Sequence, residues 1–142
     1  MKIDHINIVV TNLEEAEEFF VDLGFVPKKQ ASLEGEWIEK LTGLEQAKAE
    51  YVGLELPGQD VTLELLQYIN PVGKKEEDIS KPNSFGLRHL ALEVTNIEDL
   101  YKKLKEKNIT FLSEIINNQM GKKLCYFLGP EGIILELAEY EK

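Results

Sequence analysis

A segment that begins with histidine occurs twice in the chain and strongly limits the folds available to it. The first copy reads HINIVVTNLEE at 5–15, and the second reads HLALEVTNIED at 89–99. These copies contain the only two histidines of the chain. A second repeated segment closes each half, with TLELLQY at 62–68 and ILELAEY at 134–140. Each half of the chain therefore begins with a histidine segment and ends with a glutamate segment.

The first half has the residue patterns of a βαβββ module. Residues 2–10 alternate and are rich in isoleucine and valine, which is typical of a half-buried strand. Asn12 is a predicted helix N-cap with Glu15 in the capping-box position, and Gly24 supplies the C-cap. Further strands are predicted at 25–31, 50–56 and 61–69 with a turn at 57–60, whereas residues 32–48 break any period and predict either a short helix or a folded loop.

The second half repeats this order after a segment of linker composition. Asn96 is its helix N-cap, and Asp99 takes the capping-box position. The predicted elements are a strand at 87–95, a helix at 96–107 and strands at 109–116, 122–128 and 133–140. A length of 142 residues suits one domain. We therefore expect an α+β fold in a single domain at 1–142, with module one at 1–69, a linker at 70–84 and module two at 85–142.

Composition limits the partners and the location of the protein. The net charge of −10 argues against sequence-independent nucleic-acid binding, which requires lysine and arginine to neutralise phosphates. No apolar run approaches the ~20 residues of a membrane span, and the N-terminal stretch lacks the apolar region of a signal peptide. We expect a cytoplasmic protein without membrane partners. Cys125, the only cysteine, is predicted to be a buried and inert thiol.

Strand alternation predicts where the repeated polar side chains point. Successive residues of a strand face opposite sides of the sheet. Each histidine is followed by an apolar residue that would pack under a helix, and each glutamate is flanked on both sides by leucine. The concave face is therefore predicted to gather four side chains in one cavity: His5, Glu64, His89 and Glu136.

A bound metal ion is the simplest reason to bring these four side chains together. Two carboxylates in one cavity repel each other and lose hydration, which is costly without compensation. A divalent cation removes this cost and explains the two imidazoles. The set suits one divalent ion, Zn, Ni, Co, Mn or Fe, among which the sequence does not choose. The alternative is a binding module that keeps the fold and leaves the cavity without metal.

Further side chains are candidates for a small-molecule substrate pocket. Alternation puts Asn7, Tyr68 and Glu93 on the concave face. Trp37 belongs to the irregular segment 32–48, where it would either wall a pocket or plug the open edge of the module. For each of these residues a role in packing, or a place at the rim, is the alternative.

The repeated residues identify the chain as similar to the vicinal oxygen chelate superfamily of glyoxalases, bleomycin resistance proteins and extradiol dioxygenases. The resemblance runs from DHI at 4–6 through GLRHLA at 86–91 to GPEGIILEL at 129–137. It implies paired βαβββ modules that curl into an eight-strand metal-binding cleft. It also implies a homodimer, with the metal site either within one chain or between two. The family's metal positions carry over onto His5, Glu64, His89 and Glu136.

The ligand set resembles that of bacterial glyoxalase I, a lactoylglutathione lyase. In that chemistry a metal acts as a Lewis acid on two vicinal oxygens, and a ligand carboxylate shuttles a proton between adjacent carbons. The resemblance implies Glu136 as the first choice for this base and Glu64 as the second. Glyoxalase I has an arginine shortly after the first histidine, where this chain reads NIVVT at 7–11, and an asparagine near the place of Tyr68. A glutathione adduct is therefore not the expected substrate.

Three alternatives share the same fold. A methylmalonyl-CoA epimerase resembles the chain in layout, but its usual second ligand is glutamine, and Glu64 departs from it. An extradiol dioxygenase would use His5, His89 and Glu136, yet Glu64 would crowd a position that the oxygenase keeps free, and the chain has no third histidine. A non-catalytic drug-binding protein would have no reason to keep four ligands.

Overall fold

The computed structural model describes residues 1–141, which form two compact units. One unit spans Met1–Lys75, and the other begins at Glu76. The boundary falls inside the predicted linker 70–84, and each unit contains one four-stranded sheet. No helix within residues 1–141 combines the length and the apolar character that crossing a membrane requires.

The first unit has the expected βαβββ order with one additional short helix. Its elements are β1 His5–Val9, α1 Leu13–Asp22, β2 Val26–Glu34, α2 Glu36–Thr42, β3 Lys48–Glu55 and β4 Thr62–Asn70. The sheet has the order β1-β4-β3-β2, in which β1 is parallel to β4 and the other neighbours are antiparallel. The histidine strand therefore lies directly beside the glutamate strand.

The second unit repeats this topology. Its elements are β5 His89–Glu93, α3 Ile97–Glu106, β6 Ile116–Asn117, β7 Lys122–Leu128 and β8 Ile134–Tyr140. The sheet order is β5-β8-β7-β6, with β5 parallel to β8. The α+β class and the two βαβββ modules are thus confirmed. Both sheets are open and mixed.

Both long helices begin at the asparagines that the sequence indicates. The side-chain oxygen of Asn12 accepts a hydrogen bond from the Glu15 amide at 3.1 Å, and that of Asn96 accepts one from the Asp99 amide at 3.2 Å. Each bond satisfies a backbone donor that the first helical turn leaves unpaired. At the other end of α1, Leu23 is the C-cap. The predicted C-cap, Gly24, lies one residue beyond it.

The predicted strand at 109–116 is wrong for most of its length. Phe111 forms an isolated bridge with β7, and regular pairing is limited to the two residues of β6. Between them, the Tyr126 amide donates to the hydroxyl of Ser113 at 3.4 Å rather than to a backbone carbonyl. The side chain of Ser113 therefore replaces part of the ladder that a strand would need.

Residues 32–48 contain the end of β2, the helix α2 and the first residue of β3. The short helix is therefore the alternative that the structure adopts. Ile38 is buried, and Gly43 follows the helix with a φ of 70°, a left-handed conformation in which glycine has no steric penalty. The helix adjoins β2, the edge strand farthest from β1.

Each unit has an apolar core that alternates with polar positions along its strands. Leu63 and Leu65 are buried on either side of Glu64, and Leu135 and Leu137 are buried on either side of Glu136. Other fully buried side chains include Phe20 and Leu54 in the first unit and Leu104 and Phe127 in the second. The buried leucines anchor one face of each glutamate strand and leave the glutamate on the other face.

Candidate metal centre

The first half-site joins the beginning of β1 to the middle of β4. In the parallel pairing Asn7 is the register partner of Glu64, so His5 lies on the same face two residues earlier. His5 Nε2 is 3.4 Å from Glu64 Oε2. The structure thus brings together the first predicted histidine and glutamate.

The second half-site has the same construction. Ala91 is the register partner of Glu136, and His89 precedes it by two residues on the same face. His89 Nε2 is 3.1 Å from Glu136 Oε2. Each unit therefore presents one imidazole and one carboxylate as a close pair.

The two glutamates differ in their access to water. The Glu136 side chain is 5% exposed, whereas the Glu64 side chain is 23% exposed. Glu136 is the only charged residue classed as buried within residues 1–141. A buried carboxylate loses hydration and needs compensating partners. Solvent therefore screens the first pair more than the second.

Asp4 orients the imidazole of His5. The carboxylate of Asp4 lies 2.8 Å from His5 Nδ1, which leaves Nε2 directed at Glu64. This hydrogen bond raises the pKa of His5, opposed by partial burial, and the negative charge of Glu64 raises it further. A carboxylate behind a metal-binding histidine fixes the ring and its tautomer. Asp4 is therefore suited to holding Nε2 in the orientation of a ligand.

Tyr51 is a partner of Glu64 that the sequence reasoning missed. Its hydroxyl donates a hydrogen bond to Glu64, and burial together with the Glu64 charge raises the pKa of Tyr51. The tyrosine reaches Glu64 by crossing Gly53, the register partner of Glu64 on β3. A Cβ at Gly53 would lie 2.5 Å from the Tyr51 hydroxyl oxygen. Gly53 therefore keeps open the space that this contact needs.

Lys122 and Tyr126 surround the second pair and were also missed. Tyr126 is the register partner of Glu136, and its ring centroid lies 5.1 Å from that of His89. Lys122 Nζ is 2.8 Å from Glu136 Oε1. The same alternation that selects the glutamates, continued to the neighbouring strand, would have placed both residues on this face.

The contact between Lys122 and Glu136 is an ion pair with poor hydrogen-bond alignment. It raises the pKa of Lys122, which partial burial opposes. Glu136 Oε1 is nevertheless buried without a hydrogen bond of acceptable geometry within residues 1–141. This oxygen therefore has a charged neighbour but keeps lone pairs with which it could coordinate a metal.

The candidate pocket residues have different surroundings. Asn7 lies beside Glu64 through its register pairing, and Tyr68 lies four residues along the same face of β4. Glu93 is exposed at the end of β5. Trp37 is 55% exposed on α2, and β3 and β4 lie between β2 and the histidine strand. Asn7 is therefore the candidate nearest to a half-site, and Trp37 is remote from it within its own unit.

The donor chemistry of the two pairs fits a divalent metal. Each pair offers an imidazole nitrogen and a carboxylate oxygen directed at each other, and Glu136 Oε1 is buried without a hydrogen bond. These are the donors that zinc and related ions prefer. Within the described residues, no three histidine, cysteine, aspartate or glutamate side chains form a group that could hold a metal. The convergence of all four ligands in one cavity stays a prediction.

Comparison with known proteins gives the family. Residues 2–137 match the sequence profile of the Glyoxalase/Bleomycin resistance protein/Dioxygenase superfamily. The chain belongs to this superfamily, which confirms the resemblance. The superfamily includes enzymes such as glyoxalase I as well as non-catalytic members. Its members are commonly metal-dependent, bind small molecules and commonly form dimers.

Individual relatives cover nearly the whole chain. A glyoxalase family protein of Bacillus cereus has a TM-score of 0.93 at 27% identity, covering 100% of this chain and 95% of that one. The uncharacterized protein YaeR of Escherichia coli is 29% identical over 140 residues, 97% of this chain and 95% of YaeR. The trypanothione-dependent glyoxalase I of Leishmania major has a TM-score of 0.69 at 17% identity, covering 98% of this chain and 86% of its own. This last likeness shows the fold alone.

Proposed function

We propose that the protein is a divalent-metal-dependent, glyoxalase-like lyase or isomerase acting on a small substrate with two vicinal oxygens. The observation that carries this proposal is the buried Glu136 carboxylate, which faces His89 Nε2 at 3.1 Å and whose other oxygen has an ion-pair partner, Lys122, but no well-aligned hydrogen bond. The matching pair of His5 and Glu64 supplies the other two donors. The metal would be Zn, Ni, Co, Mn or Fe.

Four side chains would hold this metal, and two of them would also handle protons. His5, Glu64, His89 and Glu136 are the ligands. When bound, the metal supplies a Lewis acid that stabilises negative charge on the vicinal oxygens. Glu136 would take a proton from one substrate carbon and return it to the next, with Glu64 as the second candidate. Because Glu136 is shielded from water, a proton it accepts would not be lost to solvent.

We further propose that the protein is a cytoplasmic homodimer that binds a small molecule. The candidate pocket residues are Asn7, Tyr68, Glu93 and Trp37. The four ligands would come either from one chain or from two. The acidic pI of about 4.7 gives no support to nucleic acid as a partner.

A non-catalytic binding protein is the second candidate, and Lys122 is the observation that favours it. Its ammonium at 2.8 Å already compensates the charge of Glu136, so the carboxylate can be buried without metal. The pair of His5 and Glu64 weighs against this reading, because no lysine is paired with Glu64 among the described residues. Two equivalent pairs are better explained by one shared requirement for metal.

Metal analysis separates the two candidates. Protein purified without a metal-affinity step would be analysed for transition metals and then titrated with zinc and nickel. We expect about one metal ion for each set of His5, Glu64, His89 and Glu136. The His5→Ala, His89→Ala double variant should lose this metal. Glu50→Gln is the control, because Glu50 pairs in register with Gln67 on the opposite face from Glu64. Metal retained by the double variant would contradict the proposed site.

A thiol panel tests the reaction class. Hemithioacetals of methylglyoxal with several thiols would be assayed with zinc-loaded and nickel-loaded protein. We expect thioester formation with at least one small thiol and poor turnover with glutathione, because the NIVVT stretch at 7–11 lacks the arginine of glyoxalase I. A metal-loaded protein that turns over no member of the panel would exclude this lyase chemistry and favour an epimerase or a binding role.

A further inference from the structure

Lys122 is a half-buried cation that the proposed metal chemistry does not use. It begins β7 and pairs in register with Tyr140 on β8. Its side chain is 23% exposed, its ammonium lies 2.8 Å from Glu136 Oε1, and it stands 5.4 Å from the centre of the Tyr140 ring. Lys122 is therefore directed toward the second half-site rather than into solvent.

The fold itself does not require a cation at this position. Lys122 lies four residues from Tyr126 along β7, and Ala49 lies four residues from Gly53 along β3. Because Tyr126 and Gly53 are the register partners of the two glutamates, Ala49 is the counterpart of Lys122. Ala49 is fully buried. The lysine is thus specific to the second half-site, where its role is chemical rather than architectural.

Metal binding would free the ammonium of Lys122. Within residues 1–141, Glu136 is the only carboxylate found to act on Lys122. A divalent ion on Glu136 would take up the negative charge that now neutralises the lysine. The ammonium would then lack an anion beside it while still facing the second half-site. A negative group on the bound molecule would restore the charge pairing that Glu136 provides without metal.

The number of cations near Glu136 indicates the charge of the ligand group that Lys122 would bind. Lys123, the next residue, pairs instead with Glu98 at 2.6 Å. Adjacent strand residues point to opposite faces, so Lys123 cannot assist Lys122. A single ammonium balances one negative charge, which suits a carboxylate better than a phosphate dianion.

We propose that Lys122 binds a carboxylate of the substrate, next to the vicinal oxygens on which the metal acts. This inference rests on the proposed metal-dependent function and deepens it by naming the substrate class: a vicinal-oxygen compound that carries a carboxylate. Lys122 is then a specificity-determining residue. The substrate carboxylate that Lys122 binds would lie close to Glu136.

Matched hydroxamates test the proposal by binding rather than by turnover. The monohydroxamates of malonic, succinic and glutaric acid carry a hydroxamate at one end and a carboxylate at the other. Calorimetry on metal-loaded protein would compare each with the compound that has a primary amide in place of the carboxylate. We expect native protein to bind the carboxylate form about tenfold more tightly at the best chain length, the contribution of one hydrogen bond to a charged group. Lys122→Met should remove this ratio, and Lys122→Arg should retain most of it.

Lys123→Met is the matched control. It should keep the ratio of the dissociation constants for acid and amide, because Lys123 lies on the opposite face of the sheet from Lys122. If Lys122 only compensated the charge of Glu136, Lys122→Met would alter metal affinity but leave the ratio of the two dissociation constants unchanged, which would overturn the proposal. An equal affinity for acid and amide across the native series would also overturn it. Protein that takes up no metal would overturn the proposed function as well, and the metal analysis identifies that result.

Discussion

The two halves of the molecule share their histidine–glutamate pairs but differ in what surrounds each glutamate. Glu64 is 23% exposed and accepts a hydrogen bond from Tyr51. Glu136 is 5% exposed and lies beside Lys122. The shared residues lie on strands of identical topology, whereas the differing ones come from the neighbouring strand. The comparison teaches that the repeat specifies the two histidine–glutamate pairs, whereas the neighbouring strand gives each glutamate different surroundings.

The largest expected difference concerns the proton-transfer base. Glutamine keeps the size and one oxygen of glutamate but cannot accept the substrate proton. In metal-loaded protein we expect Glu136→Gln to lower kcat by about 10²–10⁴-fold, the usual contribution of a general base, and Glu64→Gln by about tenfold. Steady-state kinetics on an active hemithioacetal would measure both. Equal losses, at matched metal content, would show that the two glutamates have equivalent roles.

The cores of the halves should respond alike. Leu65 and Leu137 occupy equivalent positions, one residue beyond each glutamate, and both are 0% exposed. We expect Leu65→Ala and Leu137→Ala each to lower the free energy of unfolding by about 2–5 kcal/mol, from lost apolar contact and an unfilled cavity. Urea denaturation measures both, with Leu41→Ala, which is 73% exposed, as the control. A loss confined to one half would break the equivalence of the cores.

Gly53 and Tyr51 test whether the first half-site has its own steric requirement. An alanine at Gly53 would place its Cβ 2.5 Å from the Tyr51 hydroxyl oxygen, so the tyrosine must move away from Glu64. We expect Gly53→Ala to lower the free energy of unfolding by about 1–3 kcal/mol. Tyr51→Leu copies Leu124, its counterpart in the second half, and removes the clash.

A double-mutant cycle of Gly53→Ala and Tyr51→Leu, followed by urea denaturation, checks this steric coupling. We expect the two changes to be non-additive by about 1 kcal/mol, because they share one contact. Simple additivity would mean that Gly53 is not needed to accommodate Tyr51.

Replacing Cys125 with the residue of the first half is expected to have the smallest effect on the free energy of unfolding. Its counterpart is Val52, and both are buried. Cys125→Val should change the free energy of unfolding by less than about 1.5 kcal/mol near neutral pH, because both side chains are small and apolar and a valine already fills the equivalent buried position in the first half. Burial raises the pKa of the Cys125 thiol from 9.0 to about 11.

The difference in stability between native protein and Cys125→Val should depend on pH, because only the native protein has the thiol. A raised pKa means that the folded state holds the proton more tightly than the unfolded chain, so native protein should lose stability relative to Cys125→Val as the pH rises from 9 to 11. Urea denaturation at several pH values would measure this. Rapid alkylation of folded native protein by iodoacetamide at pH 8 would contradict the assignment of a buried thiol.

The sequence predicted the repeated parts of the molecule well because their signals are local. Alternation located the strands, and Asn12 and Asn96 marked the helix starts through bonds that span only three residues. The strand expected at 109–116 failed because the hydroxyl of Ser113 competes with the backbone ladder. That competition depends on how the segment meets β7, which alternation within the segment cannot reveal.

By itself the sequence determined the family, the two modules and the pairing of each histidine with a glutamate. These features follow from a two-residue period and a repeated motif, both of which are readable along the chain. Only the tertiary structure decided that Tyr51 contacts Glu64 and that Lys122 contacts Glu136. Those contacts depend on the register between strands, which brings together residues that are distant in sequence.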